Sequence, residues 1–279
     1  MQGKTVVITG ATSGIGAVAA RRLAEQGARI VIVARDRQRA QQTLRALHAA
    51  NPAAAHSAHI ADLSRLRDMK QVAAEIAAAE SRIDVLINNA GTILARNQLT
   101  EDGLEVMFAT NHMSYFVITH LLLERLRAVG GGARIVCTAS AAHQRGKLDL
   151  EHLQNQKGST GYGTTKLCNI LFTRELARRI GASGVTANCL HPGFVATRFG
   201  DSAGGPIRVG LAIAKWLFAR SPQEGAKTIV YLASSPEVEG QSGGYYSDCA
   251  PAVPSAQAQS DENARRLWEL SARIAEIGG

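Results

Sequence analysis

The chain has no pair of cysteines close enough in sequence to act together. Its four, Cys137, Cys168, Cys189 and Cys249, are far apart and form no C-x-x-C motif. Neither a disulfide framework nor a zinc site is therefore expected, and no metal ligand is assigned. Buried free thiols in a reducing cytoplasm are the expectation. The N-terminal stretch MQGKTVVITGATSGIG has no charged leader, no long apolar run and no cleavage site. That argues against secretion and against a membrane anchor, and for a cytoplasmic protein. Acidic residues are also in deficit, 23 against 31 Lys and Arg, for a formal charge of +8. Such a balance suits an anionic partner, either nucleic acid or a phosphorylated cofactor. The arginines are scattered over helical segments without aromatic interleaving or a recognisable nucleic-acid module, which sets nucleic acid aside. Internal repeats, low-complexity tracts and dividing linkers are absent as well. The 279 residues, 46% of them hydrophobic, are read as one domain, 1–279, with a sizeable core.

What the sequence does have is a rhythm. Short β-branched runs, TVVIT (5–9), RIVIVA (29–34), SAHIAD (57–62), DVLINN (84–89), ARIVCTAS (133–140) and VTANCLHPG (185–193), alternate with longer segments whose apolar residues recur at helical spacing. This is the βαβ pattern of a parallel sheet covered on both faces.

The first run ends in TGATSGIG, and a helical pattern starts at once. Glycines at 10, 14 and 16 allow a tight turn, let the backbone approach a pyrophosphate and leave the helix N-terminus as an anion site. Thr12, Ser13 and Ile15 belong to the same turn and are counted with it as cofactor contacts. A glycine trio alone is a weak signal, and the order strand, turn, helix strengthens it. After the second strand an acid usually meets a free ribose 2′-hydroxyl, but Ala34 stands there, with Arg35 beside it. A guanidinium suits a 2′-phosphate, so NADP(H) is expected rather than NAD(H). The alternative makes Arg35 a solvated turn residue and Asp36 the N-cap of the next helix. Asp62, followed by Leu63, either places a carboxylate near an adenine or caps the helix after it.

In GYGTTKLCNI, 161–170, Tyr162 and Lys166 are four residues apart. On a helix they share a face, with about 5–6 Å between Cβ atoms. Taken alone, the pair reads equally as a core tyrosine beside a solvated lysine.

TGATSGIG, Asp62-Leu63, NNAG (88–91), Asn111, Ser140 and YGTTK stand in one order over most of the chain. In this the sequence resembles the short-chain dehydrogenase/reductase superfamily. The strings ATNHMSYFVITHLLL, KLCNILFTRELARR, HPGFVATRFG, EGAKTIVYLAS, SGGYYSDC and RLWELS resemble its retinol dehydrogenase and WW-domain oxidoreductase branch. The resemblance implies a single-domain Rossmann fold, a doubly wound parallel sheet of about seven strands with helices on both faces. It implies a hydride transfer between NADP(H) and the carbonyl or alcohol of a small molecule, with the catalytic set Asn111, Ser140, Tyr162 and Lys166. Tyr162 would be the acid–base group, its phenolate favoured by Lys166 and the oxidised nicotinamide. Lys166 would also hold the nicotinamide ribose, and Ser140 would donate to the developing oxyanion. Asn111 would hold a water behind Lys166, or else merely bend its helix. Thr138 is the weaker candidate for the serine role.

The resemblance also places Asn89, Ala90 and Gly91 beside the cofactor, and Pro192, Gly193, Val195 and Thr197 at the nicotinamide carboxamide and phosphates. Phe194 becomes a substrate contact and 197–222 a substrate lid, while His143 reads either as a substrate contact or as a structural histidine. The amphipathic part of that segment, 207–222, reads equally as a core helix, a subunit contact or a membrane-leaning patch. The family pairs through the helices that carry Asn111 and Tyr162, so a homodimer or homotetramer is expected. Two other functions compete: an epimerase or dehydratase, and a regulatory protein that senses NADP(H) without turnover. The absence of an N-terminal membrane helix, which many vertebrate retinol dehydrogenases carry, leads to the expectation of a soluble bacterial enzyme acting on some other apolar or aromatic carbonyl or alcohol.

Overall fold

The structure is a computed structural model that describes all residues except 95, 154–157, 194–220 and 279, with the backbone alone at 158–160. The six β-branched runs and two later segments form one sheet: β1 (Thr5–Thr9), β2 (Arg29–Ala34), β3 (Ser57–Ile60), β4 (Val85–Asn88), β5 (Ala133–Thr138), β6 (Val185–Leu190), β7 (Tyr245–Ser247) and β8 (Ala250–Pro251). The spatial order is β3-β2-β1-β4-β5-β6-β7-β8. The first seven strands are parallel, and β8 turns back antiparallel on β7. The expected sheet of about seven strands is present; β7 and the two-residue β8 come from segments that none of the six runs announced.

Alternate residues of β1 go to opposite sides. Val6 and Ile8 join a core with Ile30, Ile32, Val85 and Ile87, while Val7 joins another with Val31, Val33 and Leu86. The first core lies under α1 (Gly14–Glu25), α2 (Arg37–Ala50) and α6 (Lys227–Ser234). The second lies under α3 (Leu66–Ala79), α4 (Val106–Arg127), α5 (Gly158–Ile180) and α7 (Asp261–Ala275). Strands buried on both faces need apolar residues throughout, which is why these runs show little alternation.

Four of the runs read from the sequence overshoot their strands, and always at the C-terminal end. Asp62, Asn89, Ser140 and Pro192 lie just beyond β3, β4, β5 and β6. Side chains and backbone freed from the ladder there are available to a ligand, and the neighbours of β1 change from β2 to β4 at the same edge, where a parallel sheet opens a crevice.

Helices α4 and α5 are buried all round over long stretches, Asn111–Thr119 and Gly163–Thr173. Part of their cover is α7, which packs along α5. The Trp268 ring stacks on Phe172 at 5.8 Å and meets Phe116 edge-on at 4.9 Å. The Arg179 guanidinium also lies over the indole, 4.6 Å from its centre. The expectation of pairing through α4 and α5 therefore meets a surface that the chain's own C-terminal helix occupies. Among the described residues α4 alone is long and apolar enough to span a membrane, and 72% of its most apolar window is buried inside the protein. Its apolarity is spent on the core.

Candidate active site

The glycine turn is shaped by lack of room. Gly10 has φ +70°, and a Cβ there would lie 2.8 Å from the Ala90 Cα. A Cβ on Gly16 would lie 2.4 Å from both the Gly10 carbonyl oxygen and the Asn89 Nδ2. Asn89 joins this turn to β4: its Nδ2 donates to the Thr9 and Gly10 carbonyls at 3.1 and 3.2 Å. The Thr9 hydroxyl oxygen accepts from the Asn89 and Ala90 N–H groups, both at 3.0 Å. Thr9 thus fixes the loop from the other side, a role the sequence reading left out although the residue opens the motif. Helix α1 starts without a side-chain cap on Ser13 and without an acid in its first turn. Its leading N–H groups are left for a ligand, unlike those of α2, where Asp36 accepts from the Arg39 N–H at 2.8 Å. Thr12 and Ile15 are half-buried and Ser13 exposed on the same turn.

Asp36 is thus an N-cap, as the alternative reading had it. Arg35 is exposed at the end of β2, and its guanidinium has no hydrogen bond or ion pair among the described residues. Asp62 does not cap α3. Its carboxylate instead accepts from the Ser64 N–H at 3.0 Å and the Ser64 hydroxyl at 2.8 Å in a local turn. Asp102, distant in sequence, accepts from the Leu66 N–H at the start of α3 at 2.9 Å. Leu63 is buried.

At the other end of the crevice β5, the turn after β4, α4 and α5 converge. Ser140 caps a 3-10 turn, Ala141–Arg145, accepting from the Ala142 N–H at 3.2 Å. Its hydroxyl also hydrogen-bonds Tyr162, which is only partly buried. Lys166 is 3% exposed, and its Nζ donates to the Thr138 carbonyl at 3.0 Å. The ammonium lies 5.7 Å from the centre of the Tyr162 ring and 5.8 Å from that of Tyr115. Burial lowers the Lys166 pKa to about 7. Burial raises that of Tyr162 above the ordinary phenol value, against a smaller lowering by Ser140. The expected depression of the phenol by Lys166 is therefore absent from the chain by itself. The lysine is desolvated too, and its bond goes to a carbonyl rather than to the tyrosine.

Asn111 lies in a π-helical turn, Ala109–Met113, inside α4. Its Oδ1 accepts from the Thr92 N–H at 2.7 Å, while Nδ2 donates to the Thr92 carbonyl at 2.9 Å and the Thr165 hydroxyl at 3.0 Å. It ties the segment after NNAG to the helix of Tyr162 and Lys166. Gly91 fits between: a Cβ on it would lie 3.3 Å from the Asn111 Oδ1 and 3.5 Å from the Lys166 Nζ. The three residues between Tyr162 and Lys166 each have a partner. A Cβ on Gly163 would lie 2.7 Å from the Ala142 carbonyl oxygen. The Thr164 hydroxyl donates to the Lys147 carbonyl at 3.1 Å, and that of Thr165 to the Tyr162 carbonyl at 2.8 Å.

His143 sits beside Ser140 but faces inward. It is 1% exposed, its Nδ1 donates to the Ser140 carbonyl at 2.7 Å, and its Nε2 accepts from the Ser255 N–H at 3.0 Å. Neither ring nitrogen is left for a substrate, so the structural alternative holds; it braces the Ser140 turn against the C-terminal segment. Gly193, at φ +77°, donates its N–H to the His191 Nδ1 at 3.1 Å just after Pro192. Phe194, Val195 and Thr197, and the 197–222 segment up to residue 220, lie outside the described residues. Among the described residues no group of His, Cys, Asp and Glu could hold a metal ion.

With this geometry in view, residues 4–205 match the family model described as short chain dehydrogenase. The chain belongs to the short-chain dehydrogenase family. It is an oxidoreductase of that family, and the family binds nicotinamide cofactors. Mouse retinol dehydrogenase 14 is 40% identical to it over 286 residues, covering 97% of this chain and 85% of the relative. A crystal structure from Mycobacterium paratuberculosis aligns with TM-score 0.79 and 31% identity, covering 99% of this chain and 94% of that one. A short chain dehydrogenase from Burkholderia cenocepacia, solved in complex with NADP, aligns with TM-score 0.71 and 27% identity, over 88% and 95% of the two chains. The retinol dehydrogenase likeness expected from the strings is thus borne out.

The dehydrogenase holds two polar residues at its catalytic end that the sequence reading did not pick out. The Thr138 carbonyl accepts from Lys166, from Asn169 Nδ2 at 3.3 Å and from the Tyr115 hydroxyl at 3.4 Å. Tyr115 and Asn169 are fully buried polar residues in otherwise apolar helix faces, and that conflict with the pattern was the available signal.

Proposed function

We propose that this dehydrogenase uses NADP(H) to interconvert a carbonyl and an alcohol on an apolar or aromatic small molecule, as a carbonyl reductase or alcohol dehydrogenase with Tyr162 as the acid–base group. The observation that carries the reading is the placement of Tyr162, bonded to Ser140, with the Lys166 ammonium 5.7 Å from its ring centre and its phenol held above the ordinary pKa by burial. Such a phenol keeps its proton at neutral pH and gives it to an oxygen that gains negative charge beside it.

The residues present fit a dinucleotide. The close approach at Gly10 and Gly16 and the uncapped start of α1 suit a pyrophosphate, and Arg35, without an ion pair among the described residues, suits a 2′-phosphate. The NADP bound by the Burkholderia cenocepacia dehydrogenase supports the same choice. When bound, the nicotinamide supplies the hydride for reduction or accepts it in oxidation. On the protein side, the Tyr162 O–H bond breaks as an O–H bond forms on the substrate oxygen, and Ser140 holds that oxygen with its hydroxyl. The phenolate left behind is reprotonated from solvent. Lys166, with its pKa near 7, exchanges protons readily at neutral pH while Thr138 fixes its position.

The name of the mouse relative makes retinoids one substrate class to test. NADPH oxidation is followed over a panel of ketones, quinones, retinal and aromatic aldehydes, with NADH in parallel. At least one carbonyl is expected to be reduced, and Tyr162→Phe to lower its turnover by about 10²–10⁴-fold. Normal turnover in Tyr162→Phe would show that another group moves the proton.

A further inference from the structure

His112 follows Asn111 in the π-helical turn and is fully buried between Phe108 and Phe172, with ring centres at 5.3 and 6.2 Å. Its Nε2 lies 2.8 Å from the hydroxyl of Ser271 on α7, which is also fully buried and lies 2.8 Å from the Leu267 carbonyl oxygen. Among the described residues two buried polar atoms nearby have no hydrogen-bond partner within ordinary geometry, Nδ1 of His112 and Oδ1 of Asn169. They belong to side chains that interact with each other. Asn169 in turn donates its Nδ2 to the Thr138 carbonyl that receives Lys166.

A neutral imidazole has one proton to place, and burial keeps this one neutral by lowering its pKa to about 3. With the proton on Nε2, both Nδ1 and the Asn169 Oδ1 are bare acceptors in the core, an arrangement that buried polar groups avoid. With the proton on Nδ1, each orphan answers the other. Nδ1–H donates to the Asn169 Oδ1, and the Ser271 hydroxyl turns from Leu267 to donate to Nε2. The Leu267 carbonyl still has its place in the helical ladder of α7. The carboxamide is then fixed with its oxygen on His112 and its nitrogen on Thr138.

We propose that His112 is a positioning residue, the Nδ1–H link in a directed hydrogen-bond chain that runs from Ser271 through Asn169 to the Thr138 carbonyl and holds Lys166 in place. The chain couples the C-terminal helix to the catalytic lysine, and its importance for turnover rests on the role proposed for Lys166 above.

The test uses the full-length protein labelled with 15N-histidine and 13C-lysine. In long-range 1H–15N spectra at pH 7, one histidine, assigned by the change in its Nε2 shift in Ser271→Ala, is expected as the neutral Nδ1–H tautomer and to stay neutral at pH 5. Asn169→Ser removes the acceptor and is expected to move that proton to Nε2. The same variant loosens the Thr138 carbonyl, so the Lys166 titration, followed at Cε, is expected to shift to lower pH. The titratable groups facing Lys166 are Cys137, Tyr115 and Tyr162, and all three are unchanged in this variant. An Nε2–H tautomer in the wild-type protein overturns the chain, and an unmoved Lys166 titration overturns its positioning role. If Asn169→Ser does not fold, Ser271→Ala carries the same two readouts, with a smaller Lys166 shift. None of these measurements needs a substrate, so a wild-type protein without turnover would count against the proposed function and leave this result standing. Where a substrate is in hand, Asn169→Ser is expected to lower kcat roughly tenfold with KM for NADPH unchanged, about the effect of one neutral hydrogen bond.

Discussion

At the glycine turn the working groups are main-chain atoms, and what specifies them is the lack of side chains. A single carbon on Gly10 or Gly16 would press into backbone at 2.8 or 2.4 Å. At the catalytic end the working groups are side chains, and what specifies them is a set of buried polar partners. Lys166, Asn111, Thr165, Asn169 and Thr138 are each at most 5% exposed, and each bonds to another of the set or to a neighbouring main chain. The two ends meet where Asn89 and Gly91 pass between them. A site made from backbone tolerates changes around it so long as nothing is added. One made from buried polar groups depends on the packing that keeps water away, and here that packing includes α7, from the far end of the chain.

The largest expected effect lies on the side-chain half. Trp268→Ala removes the ring that covers Phe116 and Phe172 and leaves Arg179 without its partner face. A loss of about 3–5 kcal/mol in unfolding free energy is expected by denaturant titration. Exposure of the α4 and α5 faces should also make the variant associate, which light scattering would detect. A stable, monodisperse variant would mean that α7 is an accessory and that the two helices are self-sufficient.

Arg35→Ala probes the one side chain expected to matter at the backbone end. A lost charge-assisted bond is worth about 1.5–3 kcal/mol, so the preference for NADP over NAD should fall roughly ten- to hundredfold in paired affinity titrations. An unchanged ratio would remove Arg35 from the account of the cofactor. Gly16→Ala sharpens the contrast from the opposite direction, by adding one methyl group. The clash with the Gly10 carbonyl and Asn89 is expected to cost about 1–3 kcal/mol and to weaken dinucleotide binding while Tyr162 and Lys166 keep their environment. If calorimetry found binding untouched, the tightness of the turn would be packing and nothing more.

How far each half was legible follows from the same contrast. Glycines at 10, 14 and 16, the Tyr162–Lys166 spacing and the strand ends are local patterns, and their placement in the fold could be read from residue order. The strand overshoots even marked the crevice, since Asp62, Asn89, Ser140 and Pro192 are the residues that leave the ladder. The Thr138 carbonyl was not legible as a hub, because a main-chain oxygen has no residue type to announce it. The cap of α3 by Asp102 and the bracing of Ser140 by His143 and Ser255 join residues remote in sequence, and no spacing rule reaches them. Composition could not foresee that burial would outweigh Lys166 at the Tyr162 phenol. That balance depends on which acceptor the ammonium finds, and it finds Thr138.

Lys166→Met tests that balance through stability. The folded lysine has a pKa of about 7 against an ordinary 10.5. Between those values the unfolded chain binds more protons than the folded one, so this group makes wild-type stability rise with pH across that window. Below about pH 7 the full cost of charging a buried amine is present, and above about 10.5 it is gone. Methionine fills similar space without a charge, so the variant escapes the cost but loses the bond to Thr138, which still receives Asn169 and Tyr115. A net gain of about 1 kcal/mol at pH 6 is expected, shrinking steadily toward pH 10 in thermal unfolding across that range. A difference between variant and wild type that stays flat with pH would mean that Lys166 keeps its ordinary charge despite burial. The phenol of Tyr162 would then have a permanent cation beside it, and the acid–base reading would move from reduction toward oxidation.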